Sequence, residues 1–139
     1  MQHKRVVVTG LGALTPIGNG VPAYWDGLVS GKSGSAPITY FDASKFKTQF
    51  ACELKGFDPG DYFDRKEARK MDRFTQYAMV ASDEAIEHAG FNLDALDKTR
   101  VGVIWGAGIG GLQTFQNEVL NFAAGDGTDR KSTRLNSSH

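Results

Sequence analysis

The chain has 139 residues and balances 16 Lys+Arg against 16 Asp+Glu, so its net charge gives no field that would draw it to nucleic acid or to a membrane surface. One cysteine excludes an intrachain disulfide framework and a cysteine-rich zinc site, and no metal site is expected. Hydrophobic residues at 40% and charged residues at 23% describe a globular chain, and no apolar run approaches the roughly 18 residues of a membrane span.

Lys4 and Arg5 precede only Val6, Val7 and Val8, too short a run for the apolar region of a signal peptide, so the chain is read as cytoplasmic. Residues 4–8 are expected to form a buried strand that turns at Gly10 and Gly12. These glycines suggest a phosphate turn, but Thr15 stands where the third glycine belongs, and the turn is read as structural. Residues 13–18 are apolar but broken by Pro16 and Gly18, which predicts a loop. Pro22 suits the first turn of a helix, Tyr24, Trp25, Leu28 and Val29 make one apolar stripe along it, and Gly31 closes it.

Residues 32–40 form a Ser/Gly/Pro loop, 41–50 show no period, and 50–54 suggest a short strand. Cys52 lies there with no glycine elbow and an acidic neighbour, Glu53, the setting of a buried structural cysteine rather than a nucleophile. Residues 57–63 are turn-rich. From Arg65 onward a continuous helix is predicted. On it Lys66, Arg69, Lys70 and Arg73 stand at i, i+3, i+4 and i+7, on one face, where like charges repel unless something acidic answers them. Phe74, Tyr77, Ala78, Ala81, Ala85 and Ala89 continue the helical spacing with mostly small residues, which lets neighbours approach closely. Gly90 ends the helix. His88, near its end, is read as a cation against the helix dipole.

Val101, Val103, Ile104 and Trp105 have the composition of a second buried strand. It runs into Gly106, Gly108, Gly110 and Gly111, and Leu112, Phe115, Val119, Leu120 and Phe122 then recur at helical spacing. Gly106, Gly108 and Gly111 formally match the dinucleotide-binding turn. That fingerprint also needs a second strand carrying an acid about 20 residues on, and Asp126 and Asp129 follow without one. Two readings stand: a tightly packed structural turn, or a non-catalytic nucleotide-binding α/β module. Residues 129–139 have one apolar residue and no period, and read as a disordered or non-native tail. The element order strand, helix, irregular region, long helix, strand, helix is an α/β pattern.

Three stretches carry a family resemblance: VVVTGLGALTPIG at 6–18, RKEARKMDRFTQYAMVASDEAI at 65–86 and VGVIWGAGIGG at 101–111. In this order and spacing they resemble the N-terminal part of the β-ketoacyl-[acyl-carrier-protein] synthases, most like the bacterial synthase II type. The resemblance implies a thiolase-like αβαβα sandwich working as a homodimer, with residues 1–128 as its truncated N-terminal part. It implies an acyltransferase of fatty acid biosynthesis that joins acyl and malonyl carrier-protein thioesters by decarboxylative Claisen condensation, without a cofactor. The family's nucleophilic cysteine and two histidines lie downstream of residue 127, so no catalytic residue is expected in this chain. The implied partner is an acidic acyl carrier protein. Lys66, Arg69 and Lys70 match the family's docking positions, Arg73 joins them on spacing alone, and Ile109 is implied to lie beside the acyl pocket.

Overall fold

The computed structural model describes residues 4–125. The tail expected at 129–139, the acids Asp126 and Asp129, and His3 and His139 lie outside the described residues. Two compact units divide the chain: Met1–Asp58 with Tyr77–Ile104, and Pro59–Gln76 with Trp105–His139.

The first unit opens with a small antiparallel hairpin, β1 (Leu14–Thr15) and β2 (Gly18–Asn19), paired Leu14↔Asn19 and Thr15↔Gly18. The sequence suggested only a loop here. Thr15 explains the closure: its hydroxyl donates to the Gly18 carbonyl at 2.9 Å and accepts from the Gly18 N–H at 3.1 Å. Helix α1 (Val21–Val29) follows with Pro22 in its first turn and Gly31 at positive φ just beyond Ser30, its C-cap, as expected. Its expected apolar stripe is not its buried face. Trp25, Leu28 and Val29 are exposed, and the one buried residue is Gly27, which lies against Ile17. A second ladder pairs β3 (Ala36–Pro37) with β4 (Phe50–Ala51), shorter than the strand expected at 50–54. Cys52, just past β4, is exposed, which corrects its reading as a buried cysteine.

The strands expected at 4–8 and 101–105 do not form. Neither run is paired among the described residues, and Val6 is 91% and Ile104 99% exposed. Their β-branched composition makes them competent for a strand, but a strand exists only where a neighbour supplies its hydrogen bonds.

The main packing of this unit lies along α3 (Arg73–Ala89), from Tyr77 onward. Ala78 and Ala81 are buried, and the segment carrying Gly10 and Gly12 runs along Ala81, Ala85 and Ala89. A Cβ on Gly10 would fall 2.9 Å from Ala89 Cβ, and one on Gly12 would sit 2.9 Å from Ala85 N and overlap the Ala81 carbonyl oxygen. The small-residue stripe therefore does what its composition predicted. It admits another backbone, and the glycines are needed for that approach rather than for a phosphate.

Polar groups lock the same surface. Glu84 accepts the Ala13 N–H through Oε2 at 2.8 Å and the Val21 N–H through Oε1 at 2.7 Å, so one carboxylate holds the hairpin entry and the open N-terminus of α1. His88 Nδ1 accepts the Leu11 N–H at 3.1 Å. This contact ties the His88 side chain to the Gly10–Gly12 segment, a partner that its place near the helix end did not suggest.

In the second unit a 3₁₀ turn (Pro59–Asp61) leads to α2 (Arg65–Ala68). Asp64 caps α2 by accepting the Lys66 and Glu67 N–H groups at 2.7 and 2.8 Å. The continuous helix expected from Arg65 is broken after α2: Arg69 is its C-cap, and α3 starts only at Arg73. The break is stabilised locally. Gln76, 5% exposed, donates from Nε2 to the carbonyls of Ala68 (2.8 Å) and Met71 (3.3 Å), which satisfies carbonyls that helix continuation would have paired. Helix α4 (Leu112–Ala124) forms where predicted, with Gly111 at φ 74° before it and Gly125 after it.

Candidate functional site

The candidate site residues fall into two stretches of the second unit, a basic turn and a glycine turn. The basic turn joins α2 to α3. Lys66 lies in α2, Arg69 at its C-cap, Lys70 in the connecting turn and Arg73 at the first position of α3. All four are exposed. They do not share one face of a continuous helix, because the helix is interrupted between them; the i, i+3, i+4, i+7 argument is corrected accordingly. Lys66, Arg69 and Lys70 form no ion pair among the described residues.

The glycine turn connects residues 101–105 to α4. Ile109 stands on it 76% exposed. Gly106 and Gly108 have no neighbour within 4 Å of the position a Cβ would take. Gly110 and Gly111 are closely packed instead. A Cβ on Gly110 would lie 2.7 Å from Cε1 of the Phe74 ring, and one on Gly111 would lie 3.0 Å from Asp72 Oδ2. The Asp72 carboxylate also accepts the hydroxyl of Thr114, in the first turn of α4. This answers the nucleotide reading. A carboxylate already sits at the N-terminus of α4, where a phosphate would have to bind, and it would repel one.

Asp72, Phe74 and Thr114 were missed as site residues by sequence reasoning. Asp72 and Thr114 are 42 positions apart. In the sequence Asp72 lies within the basic run, between Lys70 and Arg73, with nothing to mark it as a site residue. Among the described residues, no three or more His, Cys, Asp or Glu side chains gather as a metal site would require. Cys52 is exposed, and His88 Nδ1 is engaged with the Leu11 N–H.

Short ladders, small-residue helix packing and a glycine turn opening a helix are parts of an incomplete α/β fold, and likeness to solved ketosynthases identifies it as thiolase-like. The structure is similar to a β-ketoacyl synthase from Burkholderia phymatum STM815, with a TM-score of 0.71 and 28% identity over 95% of this chain and 33% of that one. It is also similar to a type II polyketide ketosynthase solved in complex with its acyl-carrier protein, with a TM-score of 0.69 and 31% identity over 88% of this chain and 32% of that one.

The β-ketoacyl synthase N-terminal domain profile matches residues 3–137, and the chain belongs to that family. Over 118 residues it is 48% identical to 3-oxoacyl-[acyl-carrier-protein] synthase 2 of Synechocystis sp., covering 85% of this chain and 28% of that protein. Over 115 residues it is 48% identical to the enzyme of the same name from Staphylococcus aureus strain COL, again covering 28% of the relative. The chain thus spans a little over a quarter of the length of the curated relatives it matches.

Proposed function

We propose that this chain is the N-terminal part of a 3-oxoacyl-[acyl-carrier-protein] synthase of fatty acid biosynthesis. The observation that carries the reading is the 48% identity to two enzymes of that name across more than four-fifths of the chain. In the proposed reaction a cysteine thiolate attacks the acyl thioester of its carrier protein, forming an acyl-cysteine thioester and releasing the carrier's thiol. Malonyl carrier protein then loses carbon dioxide, and the resulting carbanion attacks that thioester to release 3-oxoacyl carrier protein. The nucleophile and the histidines that assist decarboxylation belong to the part of the relatives that this chain does not span.

Within this chain we assign two roles. Lys66, Arg69 and Lys70, with Arg73 beside them, form the docking surface for the acidic acyl carrier protein; their exposure, and the freedom of the first three from ion pairs, support this. Ile109 faces the acyl chain, supported by its exposed position on a turn where Gly106 and Gly108, on its N-terminal side, leave open space. The full-length protein is proposed to act as a homodimer in the cytoplasm. No helix among the described residues is long and apolar enough to cross a membrane.

The test is to supply purified full-length enzyme with acyl and malonyl carrier proteins and measure carbon dioxide release together with 3-oxoacyl carrier protein. Both products in equal amounts are expected. Decarboxylation without condensation, or neither product, would refute the assignment.

A further inference from the structure

The glycine turn is held at one end and open at the other. A Cβ on Gly106 or Gly108 would meet nothing within 4 Å, whereas Gly110 packs against the Phe74 ring and Gly111, in the left-handed conformation, lies under the Asp72 carboxylate. Ile109 stands at the boundary, exposed, next to the first clamped residue. Asp72 and Phe74 flank Arg73 at the start of α3. The Asp72 carbonyl accepts the Thr75 and Gln76 N–H groups at 3.0 Å each, which fixes that start, while the Asp72 side chain accepts the Thr114 hydroxyl. One short segment, Asp72 to Phe74, therefore begins one helix and grips the entry to another.

We propose that Asp72, Phe74 and Thr114 form a positioning clamp that fixes the direction in which Ile109 is presented, and so sets which acyl chain lengths the enzyme accepts. The proposal rests on the assignment of Ile109 to the acyl pocket above. The physical reason is leverage. A charge-assisted hydrogen bond to Thr114 and a ring against Gly110 hold the two residues that follow Ile109, leaving its backbone few directions. An apolar pocket discriminates chain lengths only modestly per methylene, so a small displacement of its wall changes the ranking of substrates before it abolishes turnover. These are positioning residues; they touch no substrate.

The experiment uses full-length enzyme with isotope-labelled isoleucine methyl groups and the variants Thr114→Val, Thr114→Ser, Phe74→Leu and Ile109→Phe. Thr114→Val is close to isosteric and removes only the hydroxyl. It is expected to shift and broaden the Ile109 methyl resonance while those of Ile17 and Ile38 stay in place. It should also change the ratio of kcat/KM for long against short acyl carrier proteins by about threefold or more. Thr114→Ser should restore both, and Phe74→Leu should reproduce the change through the other jaw. An Ile109 resonance unchanged in both Thr114→Val and Phe74→Leu would overturn the clamp whatever the kinetics. A moved resonance with an unchanged chain-length ratio, where Ile109→Phe does alter that ratio, would overturn its role in specificity. A moved resonance with no change of ratio in any variant, Ile109→Phe included, would overturn the acyl-pocket assignment and the specificity role with it.

Discussion

The backbone of Gly12 lies so close to the Ala81 carbonyl that no methyl group fits between them. Gly12→Ala should therefore push the segment off α3, at about 1–3 kcal/mol for an overpacked contact. Amide hydrogen exchange in the 139-residue chain measures this directly. Protection of the α3 amides around Ala81 and Ala85 should fall by about ten- to a hundredfold. Gly106→Ala, with open space around it, is the matched control and should leave protection unchanged.

Glu84 holds two backbone N–H groups, those of Ala13 and Val21, that no other group among the described residues accepts. Glu84→Ala leaves both without their acceptor in a part-buried setting, at about 1–3 kcal/mol each. Glu84→Gln keeps the shape but turns an NH₂ toward one of them, so it should cost about half as much. Exchange rates of the Ala13 and Val21 amides should rise together in Glu84→Ala and unequally in Glu84→Gln. Rates that stay at their original values would mean that the carboxylate is not the acceptor.

The elements that could be read from the sequence are those whose causes are local. Helices α1 and α4 form where Pro22, Gly31 and the spacing after Gly111 indicated, although the expected apolar stripe of α1 is exposed, and the small stripe of α3 correctly foretold a close neighbour. What could not be read depends on which particular groups a side chain meets, whether near or far along the chain. The break between α2 and α3 is held by Gln76 reaching back to Ala68, and the grip on the glycine turn needs Asp72 to meet Thr114 across 42 positions. The valine and isoleucine runs at 6–8 and 101–105 have strand composition, but pairing is a property of the neighbour, which composition does not contain. His88 was read from its place near a helix end, and its contact with Leu11, 77 positions away, was not foreseen. Of the candidate site, Ile109 and the four basic residues were named from the sequence, and the clamp was not.

Glu53 supplies a pH test. Its carboxyl is held below the ordinary glutamate value of 4.5, first by the Thr39 hydroxyl and then by the Thr39 N–H; desolvation opposes this, and the Tyr40 N–H and Lys55 add smaller effects in the same direction. A depressed folded value means that ionised Glu53 favours the folded loop at pH above the unfolded value. That contribution is lost as pH falls through the folded value, in the acid range below 4.5. Thr39→Val should move the Glu53 titration midpoint upward, read from its side-chain carboxyl carbon by NMR. A midpoint that stays in place would show that the hydroxyl is not the main cause.

On the docking assignment, reversing Lys66, Arg69 and Lys70 to Glu in the full-length enzyme should raise KM for carrier-bound substrates about tenfold or more at low salt, with the difference shrinking as salt is added. Turnover of small acyl thioesters, which lack the acidic carrier, should change little. Because Arg73 lies beyond the turn, at the first position of α3, while Lys66, Arg69 and Lys70 lie on α2 and just after it, Arg73→Glu alone should contribute less than any of the other three. Equal losses with both substrate types would mean that the basic turn is structural.

The unpaired runs at 6–8 and 101–105 have a consequence for biosynthesis. On the proposed reading they leave the ribosome well before the remainder of the enzyme, which at ordinary elongation rates follows over on the order of tens of seconds. Through that interval Val6, Val8 and Ile104 stay open to water while the Glu84 and Gly12 contacts can already close around α3. The nascent chain thus holds a preassembled cradle beside two adhesive segments, the kind of surface that chaperones shield and that crowded polysomes would otherwise join edge to edge.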